Sequence, residues 1–418
     1  MSVIQNKLDS YGGNFWDFEN FKTNGIHKIA NYPAMMVAPM QHKLIEDLYE
    51  FEGNIDNIFD PFHGSGTTLV EGDKFGMDLV GIDINPLANL ITKVKLYGVN
   101  FNTIYNSIEK VIKNINKFTN IDIEPMNFPN INKWFREDII KDLTIIRESI
   151  VLEKNEKNRL YFWSCFSDIV RKFSNTRSST FKLHIKEQEK INLMQNTVIS
   201  DFIKIIKERH HDLHPESSTN KKIIQGDSLF EMRKIDSNSI DLICTSPPYG
   251  DNGTTVTYGQ FSILSLFWID RSDLSISDDA LLSNYSAIDN LSLGGRKKEE
   301  LICSTPTLSR YLNSISDSKK MKVITFFNDY FKALEEMIRV LKSNHLMILT
   351  LGNRRVDYKE IKLDEITSEF TLSNNMTLEA KLKREIPYKR IPRRISKVGN
   401  LGAVSSMNTE TVLILRKK

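Results

Sequence analysis

Thr245-Ser246-Pro247-Pro248-Tyr249 closes the apolar run IDLIC at 240–244. The run reads as a buried strand. Two prolines end it, because each fixes φ and neither can donate to a ladder. One reading is a plain strand end and turn. The other is a rigid ledge at the sheet's edge, where Ser246 offers a hydroxyl, Pro247 an unpaired backbone carbonyl and Tyr249 an aromatic face. Such a ledge could hold and orient a ligand.

A second group lies far upstream, in DPFHGSGTT at 60–68. Gly64 and Gly66 let the backbone approach a ligand closely. A lone GxG is equally a tight turn, and the missing GK[ST] rules out a Walker loop. Asp83 lies about 20 residues past the loop, where an acid can accept from ribose hydroxyls. That spacing suits NAD, FAD or S-adenosylmethionine alike. Asp227, in QGDSLF, could take an adenine amino proton or cap the helix that follows. A carboxylate can do both.

These residues need a sheet to bring them together. IDNIFDPF (55–62) and DLVGIDIN (78–85) read as strands, with helices from TTLVEGDKFG and PLANLITKVKLYG, giving a βαβ unit. Residues 101–220 are rich in Lys, Asn, Ile and Glu at helical spacing and read as a mostly helical insertion. Strand patterns resume at KKIIQGD and IDLICTS. A polar stretch at about 251–320 follows, then helix 327–342, strand 345–353 and an antiparallel pair from TLEAKLKREI and TETVLILRKK. The fold class is α/β: a Rossmann-like open sheet with a helical insertion and a C-terminal antiparallel strand pair. The chain divides into 1–100, carrying the glycine loop; 101–220, the insertion; and 221–418, carrying the ledge.

Composition sets the bounds. At 418 residues, 40% hydrophobic and 26% charged, the chain reads as soluble and globular. No signal peptide or membrane span is expected. Cys165, Cys244 and Cys303 stand apart from one another, so neither a disulfide framework nor a metal site is expected, and a cytoplasmic location fits. Cys244 reads as a buried strand residue rather than a nucleophile. The net charge of +3 permits nucleic-acid binding without requiring it.

Taken together, DPFHGSGTT and TSPPY resemble the S-adenosylmethionine (SAM)-dependent amino-methyltransferases of DNA, most of all the cytosine-N4 type of restriction–modification systems. IANYPAMMVAPMQHKLIEDLY (29–49) resembles that family's N-terminal segment. The resemblance covers roughly 25–100 and 220–418. It implies SAM as cofactor, held by Asp60, Pro61, Phe62, Gly64, Ser65, Gly66, Thr67, Asp83 and Asp227, with Asn31 and Pro33 at its methionine end. It implies double-stranded DNA as substrate, a flipped target base, and a cognate endonuclease as partner. Ser246 and the Pro247 carbonyl would accept the two protons of the target amine, Pro248 would stiffen the ledge, and Tyr249 would stack on the base. Serine in the first position of the tetrapeptide favours cytosine-N4. Adenine-N6 methylation, or SAM binding without catalysis, are the alternatives.

Two basic segments are candidates for phosphate contacts. KLKREIPYKRIPRRISK (381–397) carries Lys389, Arg390, Arg393 and Arg394, and RKFSNTRSSTFKLH (171–184) carries Arg177. Gly253, Thr254, Thr255 and Tyr258 could form a flap over the ledge.

Overall fold

The computed structural model describes residues 2–99, 101–252, 255–276, 278–295, 299–386, 394–395, 404–405 and 408–418. Its centre is a seven-stranded sheet. In chain order the strands are β1 (Asn57–Asp60), β2 (Asp78–Asp83), β3 (Lys221–Gln225), β4 (Ile240–Thr245), β5 (Leu341–Gly352), β6 (Met376–Glu385) and β7 (Thr409–Lys417). They lie side by side in the order β3-β2-β1-β4-β5-β7-β6. The first five run parallel. Only β7 runs against both of its neighbours, so the two tail segments form the expected antiparallel pair.

The sheet is covered on both faces. Alternation along each strand sends Ile58, Leu242 and Ile348 into one apolar cluster and Phe59, Ile243 and Met347 into another. All six residues of β4 are buried, as a central parallel strand requires. This is why IDLIC shows no polar alternation. The long helix Asp317–Val340 covers the second face through Phe327, Tyr330 and Leu334.

The helices of the insertion, among them Glu156–Phe173 and Val198–Arg209, share the first cluster with the sheet. Glu156–Phe173 packs directly on Pro86–Tyr97, and beside that contact lies an element the sequence reading missed. Within the stretch read as polar lies the buried helix Tyr258–Trp268, packed against Glu156–Phe173 and Pro86–Tyr97. Its sequence, YGQFSILSLFW, is apolar almost all round and has no polar face to betray a 3.6-residue period. Among the described residues, no helix is long and apolar enough to cross a membrane.

Candidate active site

Chain order reverses across the β1–β4 pair. From β1 the strands step outward to β2 and β3, and from β4 to β5. Ligands of open α/β sheets bind outside the carboxyl ends of the strands at such a point. Phe59 pairs with Ile243, so β1 and β4 deliver the glycine loop and the ledge side by side. The join is a hydrogen bond: Thr245 Oγ1 donates to Asp60 Oδ1 at 2.6 Å. A cavity of 1610 Å³ opens above it.

Phe62, Gly64, Ser65 and Thr67 form one wall. Gly64 has φ +51°, and its N–H donates to Asp83 Oδ2 at 2.9 Å. Asp83 Oδ1 accepts from the Asn85 N–H at 2.8 Å. Burial raises the Asp83 carboxyl above its usual value, against the pull of His63 and these two N–H groups. Gly66 has φ +75°, and a Cβ there would lie 2.7 Å from the Thr92 side chain, so the loop admits no side chain at this point. Lys95 Nζ donates to the Ser65 carbonyl at 2.6 Å; burial pushes this amine down to about 7. Ser65 lines the cavity, and its buried Oγ has no hydrogen-bond partner among the described residues. A buried hydroxyl of that kind suits a polar ligand.

Asp227 also lines the cavity, and its carboxylate caps a helix turn by accepting from the Leu229 N–H at 2.9 Å. Asn31 and Pro33 complete this wall. Asn31 is clamped from the insertion: Asp168 accepts from both its backbone and its side-chain nitrogen, and Arg209 braces Asp168.

Asp60, Pro61 and Gly66, also expected at the cofactor, are not among the residues that line the cavity. They shape the wall from behind. The Pro61 carbonyl accepts from Ser228 Oγ at 2.5 Å, tying the loop after β1 to the loop after β3. Asp60 Oδ1 also accepts from the Phe62 N–H at 3.0 Å. Its Oδ2 is buried with no described partner. Burial therefore pushes the carboxyl up to about 6, and the Thr245 bond only partly offsets this.

The raised value has a consequence for stability. A carboxyl that titrates near 6 when folded and at 3.8 otherwise favours the folded state fully below the lower value. That stabilisation is lost as pH rises through the higher one. At most it amounts to about 3 kcal/mol. Asp60→Asn keeps an acceptor for Thr245 and removes the titration. We expect the wild type to lose stability relative to Asp60→Asn between pH 4 and 7 in denaturant unfolding. A stability difference that stays constant with pH would contradict this account of Asp60.

The opposite wall is the ledge. Ser246, Pro247, Pro248 and Tyr249 all line the cavity. Ser246 Oγ lies 3.0 Å from Tyr249 Oη and 3.2 Å from the Thr350 carbonyl. Tyr249 Oη donates to Glu410 Oε1 at 3.2 Å. Cys244, two residues back on β4, is buried; its Sγ donates to Gln41 Oε1, and burial drives its thiol well above the usual value.

Several further residues line the walls. Tyr32 accepts from Asn85 Nδ2 at 3.0 Å and stacks on Tyr258 with ring centroids 5.7 Å apart. Tyr258 also lines the cavity. Thr255 lines it too, while Gly253 and Thr254 lie outside the described residues. His27 reaches the wall beside a buried cluster in which Glu71 takes bonds from His27, His42 and Lys74. Glu410 and Arg384 arrive on β7 and β6. Tyr32 and Arg384 lie in stretches the sequence marked, 29–49 and 381–397, but nothing local singled them out, and His27 and Glu410 carry no motif.

The basic candidates are only partly placed. Lys389, Arg390 and Arg393 lie outside the described residues, as does the side chain of Arg394. Arg177 is exposed on a loop of the insertion, where its N–H donates to the His184 carbonyl at 2.8 Å. It does not line the cavity, but Phe181 on the same loop does. Lys22 and Lys28, both exposed, line it as well.

Comparison with known proteins agrees with this geometry. Residues 3–93 match the family N6_N4_Mtase, DNA methylase. The chain is 31% identical to the type II methyltransferase M.MvaI of Kocuria varians over 417 residues, 93% of this chain and 90% of that one. It is 26% identical to the type II methyltransferase M.BsoBI of Geobacillus stearothermophilus over 59% of this chain and 52% of the relative. Among solved structures, an rRNA methyltransferase, aviRa from Streptomyces viridochromogenes, aligns over 94% of this chain and 90% of that one, with a TM-score of 0.32 and 7% identity. With a relative matched nearly end to end, and with the glycine loop and Ser-Pro-Pro-Tyr ledge facing one cavity, the chain belongs to the N6/N4 family of type II DNA methyltransferases, whose cofactor is S-adenosyl-L-methionine.

Proposed function

We propose that the protein methylates the exocyclic N4 amine of a cytosine flipped out of duplex DNA. The observation that carries this is the sharing of one cavity by the glycine-loop wall, with Asp83, and the ledge, with Ser246 first in its tetrapeptide. At 1610 Å³ the cavity exceeds the roughly 300–1,000 Å³ of a usual small-ligand pocket. A cofactor and an everted base fit that space better than a cofactor alone.

Bound SAM supplies a methyl group already activated on a sulfonium. The residues that would hold it are Phe62, Gly64, Ser65 and Thr67 along the loop, with Asp83 for the ribose hydroxyls. Asp227 would take the adenine amine, and Asn31 and Pro33 would flank the methionine end. Asp60, Pro61 and Gly66 would support them from behind.

The harder requirement lies with the amine. Its lone pair is delocalised into the ring and must be freed. Ser246 Oγ and the Pro247 carbonyl can each accept a hydrogen bond from one amino hydrogen, which favours a pyramidal nitrogen. Acceptors preorganised where positive charge develops stabilise it without having to move. Pro247 and Pro248 keep them in place, and Tyr249 supplies a face for stacking.

Duplex DNA would be held by cations beside the cavity, Lys22 and Lys28 among them, and by the basic segments at 171–184 and 381–397. Phe181 supports a role for the insertion in holding or reading the target, since it brings that loop to the cavity wall. The type II setting implies a cognate endonuclease acting on the same sequence, in the cytoplasm with the DNA.

The test is nucleoside mass spectrometry after incubation with mixed-sequence duplex DNA and isotope-labelled SAM. Labelled N4-methylcytosine is expected. Labelled N6-methyladenine would keep the ledge chemistry and overturn the choice of base. DNA left without label by a protein that binds SAM would leave a binding protein in place of an enzyme.

A further inference from the structure

A chain of polar groups runs from the ledge into the C-terminal strands. Ser246 Oγ meets Tyr249 Oη, Tyr249 Oη meets Glu410 Oε1, and Glu410 Oε2 accepts from Arg384 Nη1 at 2.7 Å. Arg384 is 4% exposed, and its Nε and Nη2 donate to the carbonyls of Trp16 and Asp17. The guanidinium is thus anchored on the N-terminal segment and points one donor at Glu410.

Directions along this chain follow from what each group can do. A guanidinium only donates, and an ionised carboxylate only accepts. Tyr249 must therefore donate its hydroxyl hydrogen bond to Glu410. The phenol keeps that proton, because burial and the nearby Glu410 raise it well above its ordinary value. The Tyr249 oxygen is then an acceptor, and the Ser246 hydrogen has Tyr249 Oη and the Thr350 carbonyl as its recipients. What Ser246 has left for the cavity is lone pairs.

We propose that Glu410, held by Arg384, is a positioning residue that acts through Tyr249 to fix the Ser246 hydroxyl as an acceptor toward the target amine. This rests on the reading of Ser246 as the acceptor of an amino proton. An amine presents N–H donors, so a hydroxyl free to swing its own hydrogen toward it would oppose donor to donor. Glu410 keeps Tyr249 Oη an acceptor, so that it and the Thr350 carbonyl both draw the Ser246 hydrogen away from the amine.

The test is a double-mutant cycle on the full-length protein, with duplex DNA and labelled SAM. Glu410→Gln keeps the shape but places an amide that can donate to Tyr249 and reverse the chain. Tyr249→Phe keeps the stacking face, removes the link, and leaves the Arg384–Glu410 pair intact should the glutamine variant fold poorly. Each single change is expected to lower kcat roughly 10- to 100-fold, as when a group that orients a reacting ligand is lost. KM for SAM and for DNA should stay within about twofold. The double variant should be no slower than the slower single one. Wild-type kcat in Tyr249→Phe, or effects that multiply in the double variant, would overturn the proposal. The wild-type product tests the underlying reading separately: N6-methyladenine would change the base, and the cycle would still decide the role of Glu410.

Discussion

Replacing Ser246 with alanine is expected to slow methyl transfer by about 10²–10³-fold, the usual size when one preorganised polar contact to a developing charge is removed. The change leaves the ledge backbone intact, since Pro247 and Pro248 hold it and β4 is buried along its length. It also leaves the glycine loop, Asp83 and Asp227 as they are. Affinity for SAM should therefore move by less than about twofold, because no cofactor contact depends on the hydroxyl. The two quantities separate a catalytic role from a structural one. Rate is read by label incorporation into DNA and affinity by titration calorimetry. An equal loss of both would mean that Ser246 props up the cavity and does not serve the amine.

Asp83→Ala is expected to raise the dissociation constant for SAM by about 10- to 100-fold. A hydrogen bond to a charged group contributes roughly 1.5–3 kcal/mol, and each 1.4 kcal/mol is about tenfold. Both Asp83 oxygens already take backbone N–H groups, from Gly64 and from Asn85, and each retains a lone pair for a ligand hydroxyl. Truncation removes those acceptors and unhooks Gly64 together, so the loop loses its shape as well as its partner. Thermal stability should fall in the same variant, because two N–H groups lose their acceptors. Unchanged SAM affinity would take Asp83 out of the cofactor site.

The two expectations differ in how far the sequence alone could carry them. DPFHGSGTT, Asp83 and Ser246-Pro247-Pro248-Tyr249 each sit at the end of an apolar run, where a strand must stop. Turn chemistry there is local and shows within a few residues. Asp60 had the same signal, yet it stands behind the wall, bonded to Thr245. Its neighbours told where the loop begins and could not tell which way the carboxylate faces. Helix Tyr258–Trp268 escaped because it is buried on all sides and shows no contrast between faces.

From the sequence alone came the fold class, the C-terminal strand pair, the glycine loop and the ledge, because strand ends and proline breaks are written in short stretches of chain. Strand order and partnership belong to the tertiary structure. Only the placing of β7 between β5 and β6 sets Glu410 against Tyr249 and Arg384, and only the packing of the insertion brings Asp168 to Asn31 and Phe181 to the cavity. Those residues are separated by more than 100 positions or come from different elements. Nothing local marks them, since what selects them is the closure of one buried, hydrogen-bonded space.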